Sequence, residues 1–293
     1  MSSKSNKKLR LGGPFFGQSQ DPQSLVNYHL RNGFSAAYHP RVQDLVLLEE
    51  VVQAYTEADI VIAETPAYGI NILEPDEAVL ENNIQMICDR LARAEKVGSL
   101  CCVGHGGRIP SQRWGASFHN PENFGQASIE KTVLAVQRIL DTVKPTRTKY
   151  ALETESRYLP DSPEIYLELI KAVDRPGFGV HLDPTNIILS PRRFYFNGDF
   201  IRDCFAKLGP YIVSCHGKDT QMIRHAQVRF DETFAGNGNL DYDAYLSELV
   251  KLEGDVPLMI EHVNERQMRW ARDFIYEKAK DLGIAIRHSE MRE

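Results

Sequence analysis

The sequence predicts an α/β fold, and within that class a (β/α)8 TIM barrel. Three observations carry this. Short apolar runs alternate strictly with longer amphipathic runs, and such alternation calls for parallel strands joined by helical crossovers. The strand-like runs number eight, with about eight helical patterns between them, which is the unit count of a closed barrel. The chain has 293 residues, a length that α/β barrels use for one domain. A doubly wound open sheet is the runner-up. Its usual marker, a GxGxxG turn after the first strand, is absent: GGPFFGQ follows Leu11.

Taken in order, the strands are expected near 8–13 (KLRLGG), 34–38 (FSAAY), 59–64 (ending IVIAE), 99–104 (SLCCVG), 149–153 (KYALE), 178–183 (FGVHLD), 211–216 (YIVSCH) and 257–261 (PLMIE). Each is a short apolar run bounded by turn residues or charge. The clearest helices are expected at 42–57, 77–97, 126–143, 162–174, 241–252 and 264–282, where Leu, Ile and Ala recur every three or four residues. Residues 1–7 read as a disordered tail and 8–293 as one barrel domain. Two connections are long, His105 to about Gln126 and Gly217 to about Leu240. Both follow strand C-terminal ends, the face on which barrel enzymes keep their active sites.

Composition narrows the function. Hydrophobic residues make up 42% of the chain, enough for a sizeable core, and the net charge is −6 with a pI near 5.9. A mildly acidic chain is a poor default partner for nucleic acid, which calls for a basic face. Five cysteines without a CxxC, several inside apolar runs, read as reduced thiols of a cytoplasmic protein. The basic start MSSKSNKKLR lacks the apolar stretch of a signal peptide, and no run reaches membrane-span length, so no membrane partner is expected.

The chemistry-bearing pattern lies in the later strands. Strand five ends on Glu153, strand six on Asp183, strand seven on His216 and strand eight on Glu261. Neighbouring strands lie about 4.8 Å apart, so four such ends form an arc over one side of the barrel mouth. Alone, each has a structural explanation: Asp183 opens an Asp-Pro-Thr turn, His216 fits a hydrogen-bonded core, and Glu261 has Arg157 or Arg266 as partners. Together, three carboxylates and an imidazole repel one another unless a cation compensates them. Such a donor set, without thiolate, suits one divalent ion, Mn2+, Mg2+, Co2+ or Zn2+. An ion of this kind stabilises an enediolate while a neighbouring carboxylate removes the C–H proton and another returns it; Glu153 and Glu261, at the two ends of the arc, suit that pair.

At ALETESRY, GVHLDPTN, SCHGKD and the GNGNLDY…PLMIEH pair, over roughly residues 8–285, the sequence resembles the xylose isomerase-like barrel superfamily. This is the sugar phosphate isomerase/epimerase group that includes D-tagatose 3-epimerase-like ketose epimerases. The resemblance implies that Glu153, Asp183, His216 and Glu261 hold one divalent metal, and that Glu153 and Glu261 exchange the substrate proton. Two positions depart from the epimerase pattern. Asn186 stands where a His is typical, and Leu159 stands where a Glu follows the first metal carboxylate. Both fall on substrate-contacting positions.

Further substrate-binding candidates are His105 at the end of strand four, Arg157 for a carboxylate or phosphate, Lys218 in HGKD, His181 on the same strand face as Asp183, Asn186, and Trp114 as a lid. Arg108, Arg113 and His119 accompany Trp114 in the long loop, and Glu64 ends strand three behind the site. SPRRFYF (190–196) reads as helix-start packing. The function expected is a metal-dependent isomerase or epimerase of a sugar, sugar acid or polyol ketone, with a small-molecule carbohydrate as partner, and the resemblance implies a homodimer paired through the helices. The alternative is a metal-dependent dehydratase of the inosose or dehydroshikimate type. Endonuclease IV-like repair and a non-catalytic sugar-binding barrel rank lower.

Overall fold

Eight parallel strands close into one barrel in the computed structural model, which describes residues 7–111, 115–224 and 227–292. The strands are β1 (Arg10–Gly13), β2 (Ala36–Tyr38), β3 (Val61–Pro66), β4 (Cys101–Gly104), β5 (Lys149–Glu153), β6 (Phe178–Leu182), β7 (Ile212–Arg224) and β8 (Pro257–Ile260). Each pairs in parallel with the next, and β8 returns to β1 through Leu11 opposite Leu258. Closure leaves no free edge within the barrel itself.

The helices are α1 (Pro22–Arg31), α2 (Leu45–Glu57), α3 (Glu77–Val97), α4 (Gln126–Val143), α5 (Pro163–Val173), α6 (Pro191–Tyr195), α7 (Asn197–Leu208), α8 (Tyr242–Leu249) and α9 (Glu265–Asp281). Short polar residues start most of them: Asp44, Asp76, Ser162, Asp241 and Asn264 each accept a first-turn N–H. One stripe of each long helix faces the strands, Ile84, Ile87 and Leu91 on α3 and Val136 and Ile139 on α4. Inside the barrel the lining is small. A Cβ on Gly12 would stand 2.5 Å from the Ala36 carbonyl oxygen and 2.6 Å from Met259 Sδ, so only glycine fits there. Among the described residues, no helix is long and apolar enough to cross a membrane. All five cysteines are buried and free.

The fold corrects several expected boundaries. Asp183 and Glu261 lie one residue beyond their strands, whereas Glu64 lies inside β3. Lys7, expected in the tail, donates to the Leu252 carbonyl; residues 1–6 lie outside the described residues. The connection from Gly217 to Leu240 is not a loop. β7 continues to Arg224 and pairs antiparallel with a return strand, Val228–Phe234. The charged and polar residues after His216 suggest a strand end there, but a two-stranded arm outside the barrel tolerates polar faces. The connection after His105 holds a small antiparallel pair, Pro110–Ser111 with Gly115–His119, then a 3-10 turn at Pro121–Phe124. Trp114 and Arg113 lie outside the described residues, as does the side chain of His119.

One carboxylate fixes how β5 enters the barrel. Glu95, near the end of α3, accepts the backbone N–H groups of Thr146 (3.0 Å), Arg147 (3.2 Å) and Thr148 (2.8 Å) and the Thr146 hydroxyl (2.6 Å). Burial opposes its charge, but the four donors prevail and pull the carboxyl down to about 2. A depressed folded value means stability present above the ordinary carboxylate range and lost as pH falls through it. Glu95→Gln is therefore expected to cost about 1 kcal/mol at neutral pH after solvent screening. In urea denaturation the gap to wild type is expected to narrow as pH falls from 4.5 toward about 2.

Candidate functional site

The mouth is organised around the His216 imidazole. Nδ1 lies 3.0 Å from Glu153 Oε1, 3.3 Å from Asp183 Oδ2 and 3.2 Å from Glu261 Oε2. Nε2 faces Glu64 Oε2 at 3.5 Å. β7 places His216 beside Met259 of β8, and β5 places Glu153 beside His181 of β6, so strand register brings these ends to one side of the mouth, with Asp183 and Glu261 one residue further on. The structure thus gathers the whole predicted arc, with Asp183 and His216 fully buried.

Asp183 explains why a buried strand should run into an aspartate. Its Oδ1 accepts the N–H of Thr185 (3.0 Å) and approaches that of Asn186 (3.4 Å), closing the 3-10 turn Thr185–Ile187. Its Oδ2 points the other way, into the cluster. The turn reading and the site reading therefore hold together on separate oxygens. Thr154 Oγ1 locks the position, donating to the Asp183 carbonyl and accepting its N–H, both at 2.8 Å.

Below the arc, Glu64 braces the imidazoles. Its Oε1 accepts from His181 Nε2 (2.8 Å) and Ser214 Oγ (2.7 Å). Burial works against its charge, but His181 and His216 outweigh that and hold Glu64 well below the usual carboxylate range. His181, expected on the inward face, is there, but it sits fully buried against Glu64 and His216 rather than in the cavity lining. From the helix side, Tyr245 donates to the His216 carbonyl (2.9 Å) and Tyr242 to that of Lys218 (2.8 Å).

Above the arc lies a cavity of about 490 Å³. Of the predicted residues, His105, Glu153, Arg157, Asn186, Lys218 and Glu261 line it. Lys218 is almost wholly buried, its Nζ 3.0 Å from Asp183 Oδ2 and 2.7 Å from Glu261 Oε2. Desolvation opposes its charge, but the surrounding carboxylates, Asp183 and Glu261 foremost, raise its pKa. The same opposition operates at His216, where Glu261, Glu64 and Glu153 overcome burial and favour imidazolium. Asn186 donates to Glu153 Oε1 (3.0 Å) and to the Thr154 carbonyl (3.2 Å), and His105 Nε2 lies 3.5 Å from Glu153 Oε2.

Sequence reasoning missed four lining residues, Tyr68, Glu155, Glu232 and His262. Glu232, on the return strand, bonds Lys218 Nζ (3.1 Å) through Oε2 and His262 Nδ1 (2.8 Å) through Oε1. It stands opposite Thr220, on the sheet face that Lys218 shares, a register that only the hairpin reveals. His262, next to Glu261, was visible as MIEH. Tyr68 presents a buried hydroxyl with no partner among the described residues; its only signal was its place after β3.

The donors fit a divalent cation. Bonds of about 2.1–2.3 Å at right angles separate neighbouring donors by about 3.0–3.3 Å, the spacing found around His216 Nδ1. Asp183 Oδ2 and Glu261 Oε2 are buried with only cationic groups close to them, Lys218 Nζ at 3.0 and 2.7 Å and His216 Nδ1 at 3.3 and 3.2 Å, places that a metal cation could take. Glu153, Asp183, His216 and Glu261 thus form one cluster able to hold an ion. Glu64, His181 and His216 form a second within 4.8 Å, but its carboxylate is already hydrogen-bonded. With Nε2 turned to Glu64, His216 directs Nδ1 at the arc.

Comparison with known proteins agrees with this architecture. The family model for the xylose isomerase-like TIM barrel matches residues 28–281. No curated protein matches the chain. Among solved structures, D-psicose 3-epimerase with D-tagatose from Clostridium cellulolyticum H10 superposes with a TM-score of 0.67 at 14% identity, covering 94% of this chain and 100% of that one. A probable 3-DHS dehydratase from Bacillus anthracis gives 0.65 at 19%, covering 91% and 97%. Endonuclease IV from Thermus thermophilus gives 0.69 at 13%, covering 94% and 100%. At these identities the likeness is one of fold.

Glu64→Gln removes the charge that faces two imidazoles. It is expected to cost about 2–4 kcal/mol of stability in urea denaturation. Affinity for Mn2+ in a calorimetric titration is expected to fall about 10–100-fold.

Proposed function

Because the chain belongs to the xylose isomerase-like TIM barrel family, we propose that it is a divalent-metal-dependent isomerase or epimerase acting on a sugar, sugar acid or polyol ketone. The observation that carries this is the set of four converging donors, three carboxylates and an imidazole gathered at the mouth with Asp183 and His216 fully buried. Glu153, Asp183, His216 and Glu261 would hold the ion, which when bound supplies Lewis-acid stabilisation of the charge that develops as a carbon beside a carbonyl loses its proton.

The chain's own groups do the rest. Glu153 and Glu261 reach the cluster from non-adjacent strand ends, β5 and β8, and both line the cavity. One carboxylate takes the proton, the C–H electron pair becomes the enediol double bond, and the carbonyl oxygen gains charge. For an epimer the other carboxyl, entering the step protonated, gives its own proton to the opposite face; for an isomer the first carboxyl passes its proton to the neighbouring carbon while the hydroxyl proton there moves to the former carbonyl oxygen. His216 opposes the desolvation of Glu153 and keeps it ionised, fit to accept a proton. Asn186, where a His is typical of ketose epimerases, holds Glu153 Oε1 and so orients this base. Lys218 stands within reach of a substrate oxygen above Asp183 and Glu261. A nucleic-acid substrate is disfavoured, since Glu153, Glu155, Glu232 and Glu261 line the same cavity and repel a phosphate backbone.

Plasma mass spectrometry on purified protein is expected to find about one divalent ion per chain in the wild type and none in Asp183→Ala. Absence of any ion after dialysis against Mn2+, Co2+, Mg2+ and Zn2+ would overturn the proposal. In D2O, metal-loaded protein is expected to exchange deuterium into a ketose or sugar acid beside the carbonyl. Glu153→Gln and Glu261→Gln are each expected to slow that exchange about 10²–10⁴-fold.

A further inference from the structure

We infer that the cleft has a second, anion-binding end, formed by Arg108 and Arg157 beside His105, and that the substrate therefore carries a carboxylate or phosphate at the end remote from the reacting carbon. The role of the anion in the reaction rests on the proton-transfer reading above; the anion site itself does not.

The cavity over the arc adjoins another of about 360 Å³, and the two share His105 and Arg157 in their linings. Their charges are opposite. The first is walled by Glu153, Glu155, Glu232 and Glu261, with Lys218 and His262 among them. The second has two arginines and His105, and no carboxylate in its lining. A cleft acidic at one end and cationic at the other orients a ligand with one anionic group: the anion is repelled from the carboxylates and drawn to the guanidiniums.

Both arginines are held in place but left with free donors. Arg108 is fixed through its backbone: Asn71 Oδ1 accepts its N–H at 2.7 Å and Asn71 Nδ2 donates to its carbonyl at 2.8 Å. Gly107 makes this clamp possible. Its φ is +80°, and a Cβ there would stand 2.8 Å from Asn71 Oδ1. The Arg108 side chain is exposed and forms no salt bridge among the described residues. Arg157 is oriented by Glu155, a buried carboxylate that accepts from Nη2 and whose other oxygen takes the N–H of Ser156 (2.8 Å). Its Cζ lies 5.6 Å from the centre of the Tyr158 ring. The lining itself holds two guanidiniums; the carboxylates nearest to it are Glu155, paired with Arg157, Glu74, 3.3 Å from Asn71 Nδ2, and Glu153, 3.5 Å from His105 Nε2. The planar fork of Arg157 keeps donors for two oxygens of a carboxylate or phosphate. His105 lies between Tyr68 (4.9 Å) and Tyr158 (5.3 Å), its ring tilted to both, an aromatic partition between the acidic and the basic ends.

The test is calorimetric titration of the full chain with inorganic phosphate, D-fructose 6-phosphate, D-glucuronate and neutral D-fructose, first after EDTA treatment and then with Mn2+. EDTA-treated wild type is expected to bind phosphate. It is expected to bind D-fructose 6-phosphate or D-glucuronate at least about tenfold more tightly than D-fructose. In Arg108→Ala and Arg157→Ala the Kd for the anions is expected to rise about tenfold or more, with partial recovery in Arg108→Lys, the thermal melts confirming intact folds. The stronger of the two anionic ligands identifies the source, phosphate or carboxylate. Equal anion affinity in wild type and both alanine variants, or no anion binding to wild type up to about 10 mM, overturns the inference. Absent anion binding with intact deuterium exchange into a neutral ketose strikes the anion end alone. Anion binding lost in the variants, with no exchange into any substrate, supports the anion end and strikes the proton-transfer reading instead.

Discussion

The architecture of the mouth depends on charge compensation around one imidazole. His216 has three carboxylates within 3.3 Å of Nδ1 and a fourth 3.5 Å from Nε2, all in a region from which water is largely excluded. Several anions buried that closely are stable only with positive charge among them. Here that charge comes from imidazolium at His216, from the Lys218 ammonium and, where bound, from a divalent cation, each competing for the same oxygens. Much of the nearby structure keeps this group in register. Glu64 and Ser214 hold the plane beneath it, Thr154 stitches β5 to β6, and Tyr242 and Tyr245 of α8 grip the β7 backbone at Lys218 and His216.

The barrel supplies this geometry with few demands on the sequence. Parallel strands in fixed register need only one suitable residue at each end, and α-helical crossovers ensure that consecutive ends are neighbours. Variation is then left to what grows out of the strands. The β7 hairpin brings Glu232 over the cavity, and the β4 and β5 extensions bring His105, Arg108 and Arg157 to its far side. The result is a polar cleft of two characters, carboxylate-rich over the arc and guanidinium-rich beyond the Tyr68–His105–Tyr158 partition. Such a division suits recognition of a molecule with a neutral polyol end and a charged end.

The strands and the arc were legible because their signals are local. An apolar run ending in an acid or histidine can be read without knowing its neighbours, and four in succession constrain one another. Asp183 was legible even in its duality, since the Asp-Pro-Thr turn and the buried strand before it are both written within a few residues. Glu232 was not legible. Its neighbours RFDETF carry no mark of a site, and its position follows from antiparallel pairing with β7, which depends on where the hairpin turns. Tyr68 was missed for a related reason: a tyrosine in a connection between Pro and Gly normally packs, and only the fold shows its hydroxyl buried without a partner.

By itself, then, the amino-acid order determined the class of fold, the order of its elements and the four donors, because periodicity and strand ends are properties of contiguous residues. Tertiary structure decided which oxygen of Asp183 faces the cluster, that His181 serves Glu64 rather than the cavity, that Lys218 lies among the carboxylates, and that Arg108 and Arg157 share one cavity. These are relations between residues from 2 to more than 100 positions apart. They are settled by side-chain packing and charge pairing across the closed barrel, where a buried charge takes its place from its counter-charges rather than from its chain neighbours.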